Sequence, residues 1–218
     1  MIYLSWAAVY EGPGDAAYYD VLLPRLIEDV VAREGTQRVE VPETPAARIA
    51  VGRTIGEVAK EVCRNAESFR ILFVHADTGG RGQKATLDSR GSAYCREVHE
   101  CCGWPIERCV VLRPRHETEA WIMADPVAVM IALGLTGDPA RHGLPRNAAA
   151  AEALPDAKHV LAAVLSSANR RRRHRVATLF ARVAQSQRLD ALRDARSFQD
   201  FEADLRRALV SLGCLPPP

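Results

Sequence analysis

The chain has 218 residues, of which 48% are apolar and 26% charged, and its formal net charge is +2. That length suits one sizeable domain with a helical appendage, or two small domains, and the composition is ordinary for a globular protein. No stretch approaches the ~20 apolar residues of a membrane span, and no basic segment precedes the N-terminal apolar run, so neither a spanning segment nor a signal peptide is expected. A cytoplasmic setting is the default expectation, with the six cysteines (Cys63, Cys95, Cys101, Cys102, Cys109 and Cys214) reduced.

Residues 2–10 form a short β-rich run ending at Glu11, where the turn segment GPGD begins. Asp15 is placed to cap the following helix-like segment, and Pro24 inside that segment predicts a kink or break. RVEV (38–41) reads as a second strand, and residues 53–66 have helical spacing through Ile55, Val58, Ala59 and Val62. The clearest buried strand is 70–76, which leads to Asp77. The stretch 77–91, DTGGRGQKATLDSRG, is too rich in glycine and charge to predict regular structure. A short helix over 91–102 and a strand over 109–113 follow. This strand–helix–strand alternation predicts an α/β fold with a mostly parallel sheet flanked by helices.

After Pro114 the character changes, and HETEAWIMAD and PVAVMIALG read as helices. Trp121, Ile122, Val127, Val129, Met130 and Leu133 form an apolar stripe expected to be core rather than a cofactor box. From about residue 156 only helical patterns occur, with Ser197 as an N-cap. The division expected is a core over 1–140 and a helical C-terminal extension over 141–218 packed on it, or one single domain.

Acidic residues mark the strand ends: Glu11 after the first run, Asp77 after 70–76, and Glu117 and Glu119 after 109–113, with Asp15 in reserve. Hard divalent cations take oxygen ligands, and open α/β sheets bind ligands beyond the carboxyl ends of their strands. The alternative is that each is a solvated loop or helix-start carboxylate. Gly79, Gly80 and Gly82 lack the spacing of a nucleotide-phosphate loop. They read either as turns beside the acidic site, with Arg81 and Lys84 meeting phosphate oxygens, or as a flexible surface loop. Arg170, Arg171, Arg172 and Arg173 open the run RRRRHR, which is either a solvated face or a binder of the nucleic-acid backbone. Cys95, His99 and Cys102 share a helical face and could begin a zinc site, or be buried cysteines.

EGPGDAAYYDVLLPRL (11–26) and VHADTGG (74–80) resemble the strand ends of a Toprim domain. With HETEAWIMADP (116–126), LPDAKHVL (154–161) and LDALRDARSFQDFEADL (189–205), the chain is similar over most of its length to the bacterial family designated domain of unknown function 4276. The resemblance implies a Toprim-like α/β core with Mg²⁺ or Mn²⁺ bound for phosphodiester hydrolysis of DNA or RNA, as in overcoming-lysogenization-defect nucleases. Glu11 would be the glutamate linked to catalysis and metal, Asp77 a metal-binding aspartate, and Glu119 with Glu117 the remaining acids. The Toprim DxD pair is incomplete, because Gly79 follows Asp77 and His75 precedes it at that spacing. A neighbouring ATPase subunit and an anti-phage setting are further implications, while the oligomeric state is left open, a homodimer being one option. The alternative is a catalytically inactive subunit that binds nucleic acid or regulates the ATPase.

Overall fold

The alternation of strand β2 (Trp6–Tyr10) divides the molecule into two layers. In the computed structural model, which describes residues 1–50, 54–75, 84–169 and 176–217 (backbone only for 84–90 and 169), Trp6, Ala8 and Tyr10 face one apolar cluster and Ala7 and Val9 the other. Successive strand side chains point to opposite faces, so a strand apolar at every position demands cover on both. β4 (Ala47–Ala50), β5 (Ile71–His75) and β6 (Cys109–Leu112) complete a sheet of order β4-β2-β5-β6, every pair parallel. The α/β architecture and parallel sheet flanked by helices are therefore as expected. RVEV yields only β3 (Val39–Glu40), which pairs outside the main sheet with β1 (Ile2–Tyr3). Residues 2–10 are thus two strands rather than one.

Helix α1 (Pro13–Glu34) covers the first face, while α2 (Ile55–Arg64) and α3 (Lys84–Cys102) cover the second. The chain leaves β2 towards β4 on one side and leaves β5 towards β6 on the other. The carboxyl ends of β2 and β5 therefore form the switch point at which such sheets open a crevice.

The remaining helices are α4 (Thr118–Ile122), α5 (Pro126–Leu133), α6 (Ala148–Glu152), α7 (Ala157–Asn169), α8 (Val176–Ser186), α9 (Leu189–Arg193) and α10 (Arg196–Ser211). They join the first face in a single cluster reaching from Leu4 to Leu215. α8 lies along α1, where Arg25 on α1 donates to the carbonyls of Ala184 and Gln187 at the end of α8. Trp121 meets Phe198 at 5.1 Å and Phe201 at 5.4 Å between ring centroids, tying α4 to α10. Such aromatic pairs add about 0.5–1.5 kcal/mol each beyond their burial.

Several local expectations need correction. α1 runs unbroken through Pro24. The missing N–H costs one helical hydrogen bond, but Leu22, Leu23, Leu26 and Ile27 are all fully buried, and their packing holds the turns around it. α3 begins at Lys84, inside the stretch expected to be irregular. Gly91 lies within this helix, where an added Cβ would meet Val111 Cγ1 at 2.2 Å. That glycine therefore allows α3 to approach the sheet closely. α10 is capped not by Ser197 but from outside: Glu152 accepts the N–H groups of Arg196 (2.9 Å) and Ser197 (3.0 Å) and the Ser197 hydroxyl. Within the expected core stripe Val127 is 48% exposed, the others being buried.

Four of the six cysteines are not reduced thiols: Cys63–Cys102 joins α2 to α3, and Cys95–Cys109 joins α3 to β6. Their Cα separations of 5.8 and 5.7 Å are what disulfide geometry requires. Cys101 and Cys214 are free. Among the described residues, no helix is long and apolar enough to cross a membrane.

Candidate functional site at the carboxyl end of the sheet

Tyr10 closes β2, and the backbone turns at Glu11 and Gly12 into α1. Asp15, in the first turn, accepts the Gly12 N–H at 3.1 Å, so it caps the helix from its third position rather than its first. Glu11 is exposed. The Tyr10 hydroxyl donates to Asp20 (3.0 Å), whose other oxygen accepts from Arg48 on β4 (2.6 Å). Burial, followed by the neighbouring Asp20 carboxylate, pushes the Tyr10 phenol well above its usual range.

β5 ends on His75, which is 1% exposed. After β6 the chain turns back through His116, whose φ of 69° is left-handed and unusual for a residue with a side chain. This turn brings Thr118, at the start of α4, over the ends of α1 and β5. The Thr118 hydroxyl donates to Asp15 Oδ1 at 2.7 Å and lies 3.1 Å from His75 Nε2 and 3.2 Å from the Tyr19 hydroxyl. A threonine has one proton and two lone pairs. With the proton given to Asp15, Tyr19 and His75 Nε2 must both donate. His75 Nδ1 stands 3.7 Å from Asp15 Oδ2, and the imidazole packs on the Tyr19 ring at 5.2 Å.

Thr118 is buried and its hydroxyl saturated, so it is not built as a nucleophile. It pins α1, β5 and α4 together. Glu117, immediately before it, accepts the Lys158 N–H at 3.0 Å and so caps the start of α7. Glu119 is half-buried; burial raises its carboxyl pKa, its own backbone N–H and the Lys158 charge partly offset this, and the negative charges of Glu117 and Asp15 add to it. The structure therefore brings Asp15, Glu117 and Glu119 into one electrostatic neighbourhood at the end that also carries Glu11.

Asp77, Arg81 and Arg170–Arg173 lie outside the described residues, and Lys84 is described only as the first residue of α3. Among the described residues, no three His, Cys, Asp or Glu side chains gather as a metal-holding group. The proposed zinc ligands are otherwise engaged. Cys95 and Cys102 sit in the two disulfides, and His99 Nδ1 lies 2.8 Å from the Trp104 carbonyl.

The reading from sequence missed Thr118 and Tyr19 and treated His75 only as a missing carboxylate. One signal was present: a threonine between two glutamates just beyond a buried strand can turn its hydroxyl inward, to a depth the longer charged side chains do not share. No family model, curated protein or solved structure matches the chain.

Proposed function

We propose that the chain is a Toprim-like, metal-dependent nuclease acting on the phosphodiester backbone of DNA or RNA. The observation that carries this reading is the placement of Asp15, Glu117 and Glu119 beside the carboxyl end of the sheet, where Glu119 is half-buried and its pKa is raised by burial first and by the two neighbouring acids second. These are hard oxygen donors, the set that Mg²⁺ or Mn²⁺ takes, and a cation would offset the burial and neighbouring negative charge that raise the Glu119 pKa. Glu11, Asp77 and Glu119 would hold the ion. Asp15 and Glu117 are held by N–H and hydroxyl donors and act by fixing the surrounding elements. Bound Mg²⁺ or Mn²⁺ would supply an activated water and neutralise charge on the phosphate oxygens.

The chain's own contribution is positional. Thr118 locks the end of β5, from which Asp77 is two residues distant, to the helix that follows Glu11. Arg81, Lys84 and Arg170–Arg173 supply cations for the nucleic-acid backbone. A neighbouring ATPase subunit and a role in anti-phage defence belong to the same proposal.

Calorimetry with Mn²⁺ and a cleavage assay on single- and double-stranded DNA and RNA test it. A saturable isotherm lost in Glu11→Ala, Asp77→Ala and Glu119→Gln, with cleavage lost in parallel, is expected. The second reading, an inactive subunit that binds nucleic acid or regulates the ATPase, is favoured by the engagement of Asp15 and Glu117 in structural bonds. It requires nucleic-acid binding with no metal isotherm and no cleavage, alone or with the ATPase.

A further inference from the structure

The second face of the sheet is held by two disulfides of unequal depth. Cys95 is 4% exposed and belongs to the apolar cluster under α2 and α3, and Cys109 packs against that cluster. The Cys63–Cys102 bridge lies nearer the surface. Cys102 is the last residue of α3 and is exposed, while Cys63 on α2 is half-buried. The helix ends there because Gly103 adopts a φ of 67° and gives its N–H to the His99 carbonyl at 2.7 Å. Terminal turns are the parts of a fold that open at least cost. Cys101, beside the bridge, is a free and exposed thiol.

A disulfide opens when a thiolate attacks one of its sulfurs and the other leaves. Access selects Cys102 as the sulfur attacked, because it is the more exposed partner. The incoming sulfur bonds to Cys102 Sγ, and the bond to Cys63 Sγ breaks. Cys63 keeps the electron pair and takes up a proton. The Val98 carbonyl oxygen lies 3.8 Å from Cys63 Sγ, so the freed thiol has an acceptor in place. A second thiol then attacks the mixed disulfide and releases Cys102, so two thiols supply the two electrons and leave as their own disulfide. Neither direction is open in this way at the inner bridge. Attack on Cys95 must enter the packed cluster, and attack on Cys109 expels Cys95 as a thiolate into it, where burial disfavours the charge.

We propose that Cys63–Cys102 is a thiol-exchange site. A low-molecular-mass thiol modifies Cys102 and releases α2 from the end of α3, while Cys95–Cys109 stays closed. With the outer bridge open, α2 is held by Val58, Ala59 and Val62 in the apolar cluster. α3 keeps its covalent link to β6. The change is therefore confined to α2, and it does not depend on the acidic end being a nuclease.

The test uses the full chain carrying Cys101→Ser, which prevents an adduct on Cys102 from migrating to the neighbouring thiol. Alkylation in urea before any reduction should modify Cys214 alone. Reduced glutathione is then added to the folded chain, free thiols are alkylated, and the peptides are mapped by mass spectrometry. A glutathione adduct on Cys102, with Cys63 alkylated, is expected to form at least about tenfold faster than Cys95–Cys109 opens. Amide hydrogen exchange should quicken in α2 and stay unchanged in β5. Alkylation of the bridged cysteines before reduction overturns the proposal, as does an adduct on Cys63 instead of Cys102. So does an inner bridge that opens as fast as the outer one, or α2 exchange that is indifferent to glutathione.

Discussion

Thr118→Val tests the network that joins the elements of the acidic end. The substitution keeps the branched shape, so no cavity opens, but it removes a hydroxyl with three partners. Tyr19 is fully buried and His75 is 1% exposed, so each loses a hydrogen bond that water cannot readily replace. The loss of one such hydrogen bond costs about 0.5–1.5 kcal/mol. Asp15 retains the Gly12 N–H and is partly exposed, so its loss is smaller. The expected destabilisation is about 1–3 kcal/mol, a sizeable share of the roughly 5–15 kcal/mol of a typical domain. Urea unfolding measures it, as a lowered midpoint with an unchanged slope. Thr118→Ser is the control, since it keeps the hydroxyl and gives up one buried methyl, about 0.8 kcal/mol. If the valine variant is no less stable than the serine variant, the hydroxyl is not the tie described above.

Gly91→Ala should destabilise by about 1–2 kcal/mol in thermal or urea unfolding, against the ~1 kcal/mol gain normal for this change inside a helix, because the new Cβ collides with Val111; Val111→Ala in the same chain should recover part of the loss. Asp125 is buried, which by itself would raise its pKa, but hydrogen bonds from the Arg188 guanidinium and backbone N–H hold the carboxyl below the usual aspartate range. A lowered pKa gives stability that is present above the unfolded value and lost as pH falls through the folded one, so Asp125→Asn should lower the melting temperature at pH 7, with the gap closing in acid. Glu119 has the opposite sign: its raised pKa means that folding stability falls as pH rises from the usual carboxylate range through the folded value. Glu119→Gln should therefore raise the melting temperature at pH 7, an advantage that shrinks in acid and, if the metal reading holds, when Mg²⁺ is added to the wild type.

The parallel core was legible where residues are apolar without interruption. ILFVH (71–75) has to be buried on both faces, and it occupies the inner part of the sheet. β4 escaped notice because it is an edge strand whose Arg48 and Ala50 are exposed, so ARIA carries little apolar signal. The start of α3 was hidden for a different reason. Glycine and charge argue against a helix locally, but Gly91 is required by the distance between helix and strand, which no local pattern reports. At the acidic end, Glu11 could be read from its place between an apolar run and a glycine turn. The Thr118 network could not, since its bonds to His75 and Asp15 span 43 and 103 positions.

The carboxylates of this end divide by what already satisfies them. A carboxylate that accepts fixed N–H or O–H donors has its charge met by the fold, and its lone pairs are directed inward. Asp15 and Glu117 are of this kind, each bonded to a helix-terminal N–H. Glu119 is less fully met: burial and then Glu117 and Asp15 raise its pKa, while its own backbone N–H and the Lys158 charge act against them. Donor-bonded acids still project negative potential, so Asp15 and Glu117 act on the site through their field while holding α1 and α7 in place. The fold thus maintains a half-buried carboxylate with a raised pKa beside the carboxyl end of its parallel sheet. Structural ion pairs elsewhere in the chain, such as Asp125 with Arg188 or Glu202 with Arg193, are arranged to lower that cost. At Glu119 burial is the largest influence and leaves the carboxyl above its usual range, despite its backbone N–H and the Lys158 charge.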